Sequence, residues 1–148
     1  MSMNSPPVLI AGKNEQIDKR LGKGGEGDVY ALVGRADRAV KIYKAELRRS
    51  RESKVRAMVE GRLAEATTLI AFPSEVVTDS SGNFAGFSMR LVSGYRPLHE
   101  LYSPKSRKIQ FPKADYRFLV RVAQNVARAV ATVHQAGCII GDLNHSGV

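Results

Sequence analysis

The stretch Gly22-Lys23-Gly24-Gly25-Glu26-Gly27-Asp28-Val29 reads G-x-G-x-x-G-x-V. Glycines so spaced let backbone amides approach phosphate oxygens with no Cβ in the way, although glycine-rich turns also serve as plain flexible connections. The residues that follow discriminate. A dinucleotide fingerprint needs a helix after the last glycine, and a Walker loop ends in G-K-[ST]. Here Asp28 to Val33 is β-branched and aromatic, a returning strand, and no G-K-[ST] closes the run. The pattern is strand, glycine turn, strand.

Lys41 follows in Ala39-Val40-Lys41-Ile42, an otherwise apolar strand. A lysine among core residues is costly to desolvate unless an anion meets it; on a simple alternating strand it would instead point to solvent. The functional alternative is an ammonium that pairs a nucleotide's phosphates and a carboxylate on the next helix. Glu46, Glu52 and Glu60 are the candidates for that carboxylate. At about 100° per residue, the apolar positions from Val55 to Ile70 centre on one face, with Glu52 roughly 50° from it and the others beyond ~90°. Glu52 is therefore the expected partner of Lys41. Its bland alternative is a boundary carboxylate paired with Arg48 or Arg56 along its own helix.

The elements that position these groups follow from periodicity. Residues 1–14 are a Pro-containing lead-in expected to fray. Three short strands run up to Leu21, over Val29–Val33 and over Arg38–Tyr43, with a hairpin turn at Gly34-Arg35-Ala36-Asp37. From Ala45 the spacing turns helical through Ile70, with Gly61 a point of division and Phe72-Pro73 the stop. A second hairpin takes Glu75–Thr78, a turn at Ser80–Asn83, and a strand in which Ala85, Phe87, Met89 and Leu91 alternate onto one face. Ser93 to Ala114 reads as a polar loop with three prolines. Asp115 starts a long amphipathic helix, and Gly137 caps it.

Composition sets outer bounds. The chain has 148 residues, 43% of them hydrophobic and 25% charged, which is ordinary globular usage. No apolar run approaches the ~20 residues of a membrane helix, and no export signal is visible. One cysteine, Cys138, excludes an internal disulfide and fits a reducing cytoplasm, the expected location. Histidines 99, 134 and 145 have no zinc-like spacing with one another or with Cys138. Twenty-three basic against fourteen acidic residues give +9, a charge that favours anionic partners. A nucleic-acid-binding domain using Arg35 to Arg62 and Lys105 to Lys108 is one such reading. Aromatics make up only 7% and do not interleave with the basic clusters, which counts against base stacking.

The order glycine loop, strand lysine, helix glutamate, long helix and His-x-x-Gly-x-x-x-Gly-Asp-Leu-Asn resembles the protein kinase-like superfamily, in particular bacterial proteins of the eukaryotic-like serine/threonine kinase type. The resemblance runs from Glu15 to the end. It implies an α+β fold: an antiparallel five-stranded N-lobe sheet with one regulatory helix over residues 15–92, then the hinge, long helix and catalytic-loop start of an incomplete C-lobe over 93–148. It also implies ATP and Mg2+ as cofactors, and phosphoryl transfer to a serine or threonine hydroxyl of a protein substrate by the full-length protein. By the match, Leu21, Val29 and Ala39 sandwich the adenine. Gly22, Lys23, Gly24, Gly25, Glu26 and Gly27 form the phosphate-covering loop. Met89 lies behind the base, and Arg90, Leu91 and Val92 form the hinge that hydrogen-bonds it. Lys41 and Glu52 are the ion pair, and Asp142 is the aspartate that accepts the hydroxyl proton.

There are departures from that pattern. Ile140-Gly141 stands where His-Arg is usual, and Gly147 takes the place of the magnesium-binding Asn, leaving Asn144 as a candidate ligand. No Asp-Phe-Gly-type motif occurs before Val148. These departures favour, as an alternative, a nucleotide-binding pseudokinase or regulatory module. The 148 residues by themselves are expected to be inactive in phosphoryl transfer. They are also expected to self-associate through an uncovered apolar stripe on the helix from Asp115 to Ala136.

Overall fold

The structure, a computed structural model, describes residues 7–141. They fall into two units, one ending at Val92 and the other starting at Ser93. The first unit is a curled antiparallel sheet with seven strands, not five. The strands are β1 (Val8–Ile10), β2 (Lys13–Glu15), β3 (Ile17–Lys23), β4 (Gly27–Leu32), β5 (Arg35–Tyr43), β6 (Pro73–Thr78) and β7 (Phe84–Arg90). Their order across the sheet is β2-β1-β6-β7-β5-β4-β3.

The two additional strands come from the segment expected to fray. Val8 and Ile10 are apolar at period two and buried, and β1 pairs both β2 and β6. Ala11 (φ 49°) and Gly12 (φ 76°) supply the two positive φ angles that a two-residue type I′ hairpin needs. An alanine in that role carries little turn signal. The β4–β5 hairpin also turns on two residues, Val33 and Gly34 (φ 71°), so β5 begins at Arg35 within the expected turn. In the β6–β7 turn the Asp79 carboxylate accepts from the backbone N–H groups of Ser81 (2.9 Å) and Asn83 (3.0 Å), which holds its pKa below the ordinary value.

Both faces of the central strands are covered, so β5 and β7 are apolar on both sides. On one face Val8, Ile10, Leu32, Val40, Val77 and Ala85 form a cluster. On the other, Tyr43, Phe84 and Phe87 pack with Val55 of helix α1 (Ala45–Glu60). Ala85 therefore does not share a face with Phe87, as strict alternation had implied. A register shift between Val77 and Thr78, opposite Gly86 and Phe84, turns it to the other side. α1 stops at Gly61, and only the short helix α2 (Leu63–Ala66) follows, so the helical pattern does not continue to Ile70.

Ser88 is fully buried between these layers, and its hydroxyl donates to Glu75 Oε2 (3.2 Å), which also accepts from Arg38. Glu75→Ala should lower stability by about 1–3 kcal/mol, because the Ser88 hydroxyl is left buried without its acceptor. The denaturation midpoint measures this, and adding Ser88→Ala should recover part of the loss. A strictly additive double variant would refute the coupling.

The second unit is helical. The segment read as loop contains α3 (Leu98–Tyr102) and α4 (Pro104–Gln110), with Pro104 at the first helical position, where it displaces no hydrogen bond. α5 (Tyr116–Gln135) starts as expected at Asp115, whose carboxylate accepts from Phe118 N (2.8 Å). It ends in a Schellman motif. Gly137 takes φ 77° and donates to His134 O, while Cys138 donates to Val133 O. α3, α4 and α5 line an apolar cavity of about 510 Å³. No helix among the described residues is long and apolar enough to cross a membrane.

Candidate nucleotide site

β3 is an edge strand with a mostly exposed, charged surface, and the glycine turn projects from its end. The loop is closed by Gly24 N donating to Gly27 O (3.0 Å) and anchored by Lys44 N donating to Glu26 O (3.0 Å). Gly27 is glycine because the sheet demands it. A Cβ there would lie 2.2 Å from the Ile42 carbonyl oxygen. Gly86 faces the same demand from the other side of β5, where a Cβ would meet the Lys41 carbonyl oxygen at 1.9 Å. These two close approaches fix the backbone of Lys41 and Ile42. Gly22 and Gly25 differ: neither has positive φ, and nothing stands within 4 Å of where a Cβ would go.

Beneath the turn lies a cavity of about 210 Å³. Of the residues expected around a base, Leu21, Gly22, Val29, Ala39, Met89, Arg90, Leu91 and Val92 line it, joined by Ala71, which no periodicity in the sequence had singled out. Leu21 and Val92 are large apolar side chains yet 42% and 48% exposed, so the cavity mouth has two apolar lips open to solvent. Ala39 pairs with Met89 across β5 and β7, which puts a small residue beside a flexible one at the back. Among the three hinge residues, the Leu91 N–H already donates to Asp37 O (2.8 Å), so it is not a free donor for a base.

Lys41 lies on the same sheet face as Ala39, two residues along β5, and pairs with Val29 on β4 and Phe87 on β7. Its Nζ stands 5.1 Å from the centroid of the Tyr43 ring, and Tyr43 in turn meets Phe87 at 5.9 Å. The carboxylate beside it is not that of Glu52. Glu26 of the glycine loop places Oε2 3.7 Å from Lys41 Nζ, and its Oε1 accepts from Arg51 Nε (3.2 Å) and Nη2 (2.5 Å). Glu52 instead pairs with Arg56 one turn along α1, Oε1 to Nη2 2.8 Å. The cause is the early end of the helix. With the apolar face set by Val55, Met58 and Val59 alone, Arg51 lies roughly 35° from its centre and Glu52 roughly 65°. The Arg51 hydrogen bond holds the Glu26 pKa below its ordinary value against a desolvation cost, helped by the charges of Arg51, Lys41 and Lys54. Burial, with the Glu26 charge behind it, raises that of Tyr43.

No family model matches the chain. It is 33% identical over 147 residues, 99% of its length, to the protein kinase YegI of Escherichia coli strain K12, and that stretch is 23% of the relative. It is 36% identical over 143 residues, 95% of its length, to the protein of the same name from Escherichia coli O157:H7, covering 22% of it. The chain thus spans about a quarter of the length of these curated relatives. Both likenesses support a kinase-like relationship. Asp142, Asn144 and Gly147 lie outside the described residues. Among the described residues, no three His, Cys, Asp or Glu side chains gather closely enough to hold a metal ion.

Proposed function

We propose that this chain is the nucleotide-gripping part of a protein kinase, and that the whole protein transfers the terminal phosphoryl group of Mg-ATP to a serine or threonine hydroxyl. The observation that carries the reading is the cavity of about 210 Å³ beneath the glycine turn, with Lys41 on the same sheet face. Its apolar lips suit a flat base, which would bury Leu21 and Val92 from opposite sides. The lysine suits the phosphates that must then lie under the turn. Gly22 and Gly25 strengthen the reading, because neither the turn nor the packing requires them to lack a Cβ. A ligand approaching the backbone would require it.

In this reading Lys41 holds and orients the phosphates, the turn shields them from water, and the lips set the base plane. Asp142 would accept the hydroxyl proton. Mg2+ would neutralise phosphate charge when bound. The described residues offer no ligand set of three His, Cys, Asp or Glu side chains for it. In this reading residues 15–92 are the nucleotide-binding lobe.

Titration with Mg-ATP, followed by melting temperature and calorimetry, tests the reading. The 148-residue chain should be stabilised saturably by Mg-ATP. Ala39→Leu should abolish that stabilisation by filling the back of the cavity, and because Ala39 is 1% exposed the larger side chain should also lower the unliganded melt. A chain indifferent to millimolar Mg-ATP, or an Ala39→Leu variant that binds as well as the parent, would remove the proposal's support.

A further inference from the structure

The phosphate end of this site holds two cations where a cation and a carboxylate were expected. Lys41 comes from β5 and Arg51 from α1, and the Glu26 carboxylate lies between them, one oxygen toward each. Lys54, the next charged residue along that face of α1, adds its field to the same carboxylate. Two like charges brought together by separate elements repel unless an anion sits between them. Here the anion is supplied by the loop that would cover a nucleotide's phosphates. The carboxylate hangs from the turn between β3 and β4, whose backbone is held by Lys44 N donating to Glu26 O (3.0 Å) and whose Gly22 and Gly25 have open space around them.

We infer that Arg51 is a second phosphate-holding residue beside Lys41, and that Glu26 is an internal anion which the nucleotide's phosphates displace from both cations. The inference rests on the nucleotide-binding reading above and deepens it. In the unliganded chain Glu26 neutralises the two cations and draws the glycine turn down onto α1. When a polyphosphate enters, its oxygens take the same positions, with the fork of the Arg51 guanidinium able to hold two of them. The loop carboxylate then swings out into water. Displacing Glu26 takes up part of the binding free energy, so it sets the nucleotide concentration at which the turn opens.

The test is calorimetric titration of the 148-residue chain with Mg-ATP and, separately, with inorganic tripolyphosphate. The variants are Glu26→Gln, Arg51→Met, their double variant, and Asp28→Asn as a control. Asp28 carries the same charge two residues on, but is paired with Arg20 (3.3 Å) and faces away from Lys41. Glu26→Gln should tighten both ligands about fivefold, and Arg51→Met should weaken them about tenfold. The gain from Glu26→Gln should shrink in the Arg51→Met background, and Asp28→Asn should change affinity less than twofold. Tighter binding cannot come from damaged folding, so Glu26→Gln stays informative even if Arg51→Met is unstable. Mg-ATP binding that is present but unchanged by Glu26→Gln, or tightened equally by Asp28→Asn, overturns this inference alone. An absence of Mg-ATP binding in every protein overturns it together with the nucleotide-binding reading.

Discussion

Gly86→Ala is expected to destabilise the N-terminal unit by about 3 kcal/mol or more, a large fraction of the total stability of a small unit. The added Cβ would stand 1.9 Å from the Lys41 carbonyl oxygen, against backbone that has no rotamer to escape into. Relief requires β5 and β7 to part, which breaks ladder hydrogen bonds at the centre of the sheet and opens the packing of Tyr43 on Phe87. Gly27→Ala should act through β4 in the same way, from 2.2 Å. Gly25→Ala meets nothing and should shift stability by less than ~1 kcal/mol, in either direction. Denaturant midpoints of the three variants decide the matter. A Gly86→Ala protein that melts like its parent would mean that β7 does not approach β5 as closely as described.

The contrast among these glycines bears on what was legible in the sequence. The motif marked Gly22, Gly24 and Gly27 as one functional group with Gly25 in the loop between them, yet Gly27 is structural and Gly22 and Gly25 are not constrained by the fold. Gly86 lay in an alternating strand pattern with no motif around it. An isolated strand glycine does signal a close backbone approach, but which strand approaches depends on pairing, which is not local. The strands around the cavity were legible because their alternation is strong and their turns carry Gly82 or Gly34. The β1–β2 hairpin was not, since its turn uses Ala11 at φ 49° and its strands are three residues each. The helices α3 and α4 were hidden by Pro104, read as a loop residue although the first helical turn tolerates it.

The ion pair shows the sharpest dependence on a boundary. Counting apolar positions to Ile70 tilts the helix face toward Glu52, whereas stopping at Gly61 tilts it toward Arg51. A glycine after sixteen helical residues was the available signal, and it was read as a division within one continuing face. Val29, Ala39 and Met89 line one cavity, but only the place of Val29 beside β5 follows from a short hairpin; Ala39 meets Met89 through the non-local pairing of β5 with β7. The side chain that meets Lys41 comes from a loop, and no periodicity reports where a loop carboxylate will settle.

Lys41→Met should therefore separate binding from folding. The Lys41–Glu26 contact is 3.7 Å long with 27% and 45% of the two side chains exposed, so its loss should cost well under ~1 kcal/mol of stability. Glu26 keeps Arg51, and the methionine stem retains much of the lysine's packing beside Tyr43. The unliganded melting temperature should stay within a few degrees of the parent. Affinity for Mg-ATP should fall about 10- to 100-fold, the weight of one or two charge-assisted hydrogen bonds to phosphate oxygens. Adenosine, which has no phosphates, should bind both proteins alike, because its contacts are with the lips at Leu21 and Val92. If the variant loses Mg-ATP and adenosine together, the lysine shapes the cavity instead of holding phosphates. If it loses neither, the anion that Lys41 serves is Glu26 alone, and the ammonium is part of the sheet's own electrostatics.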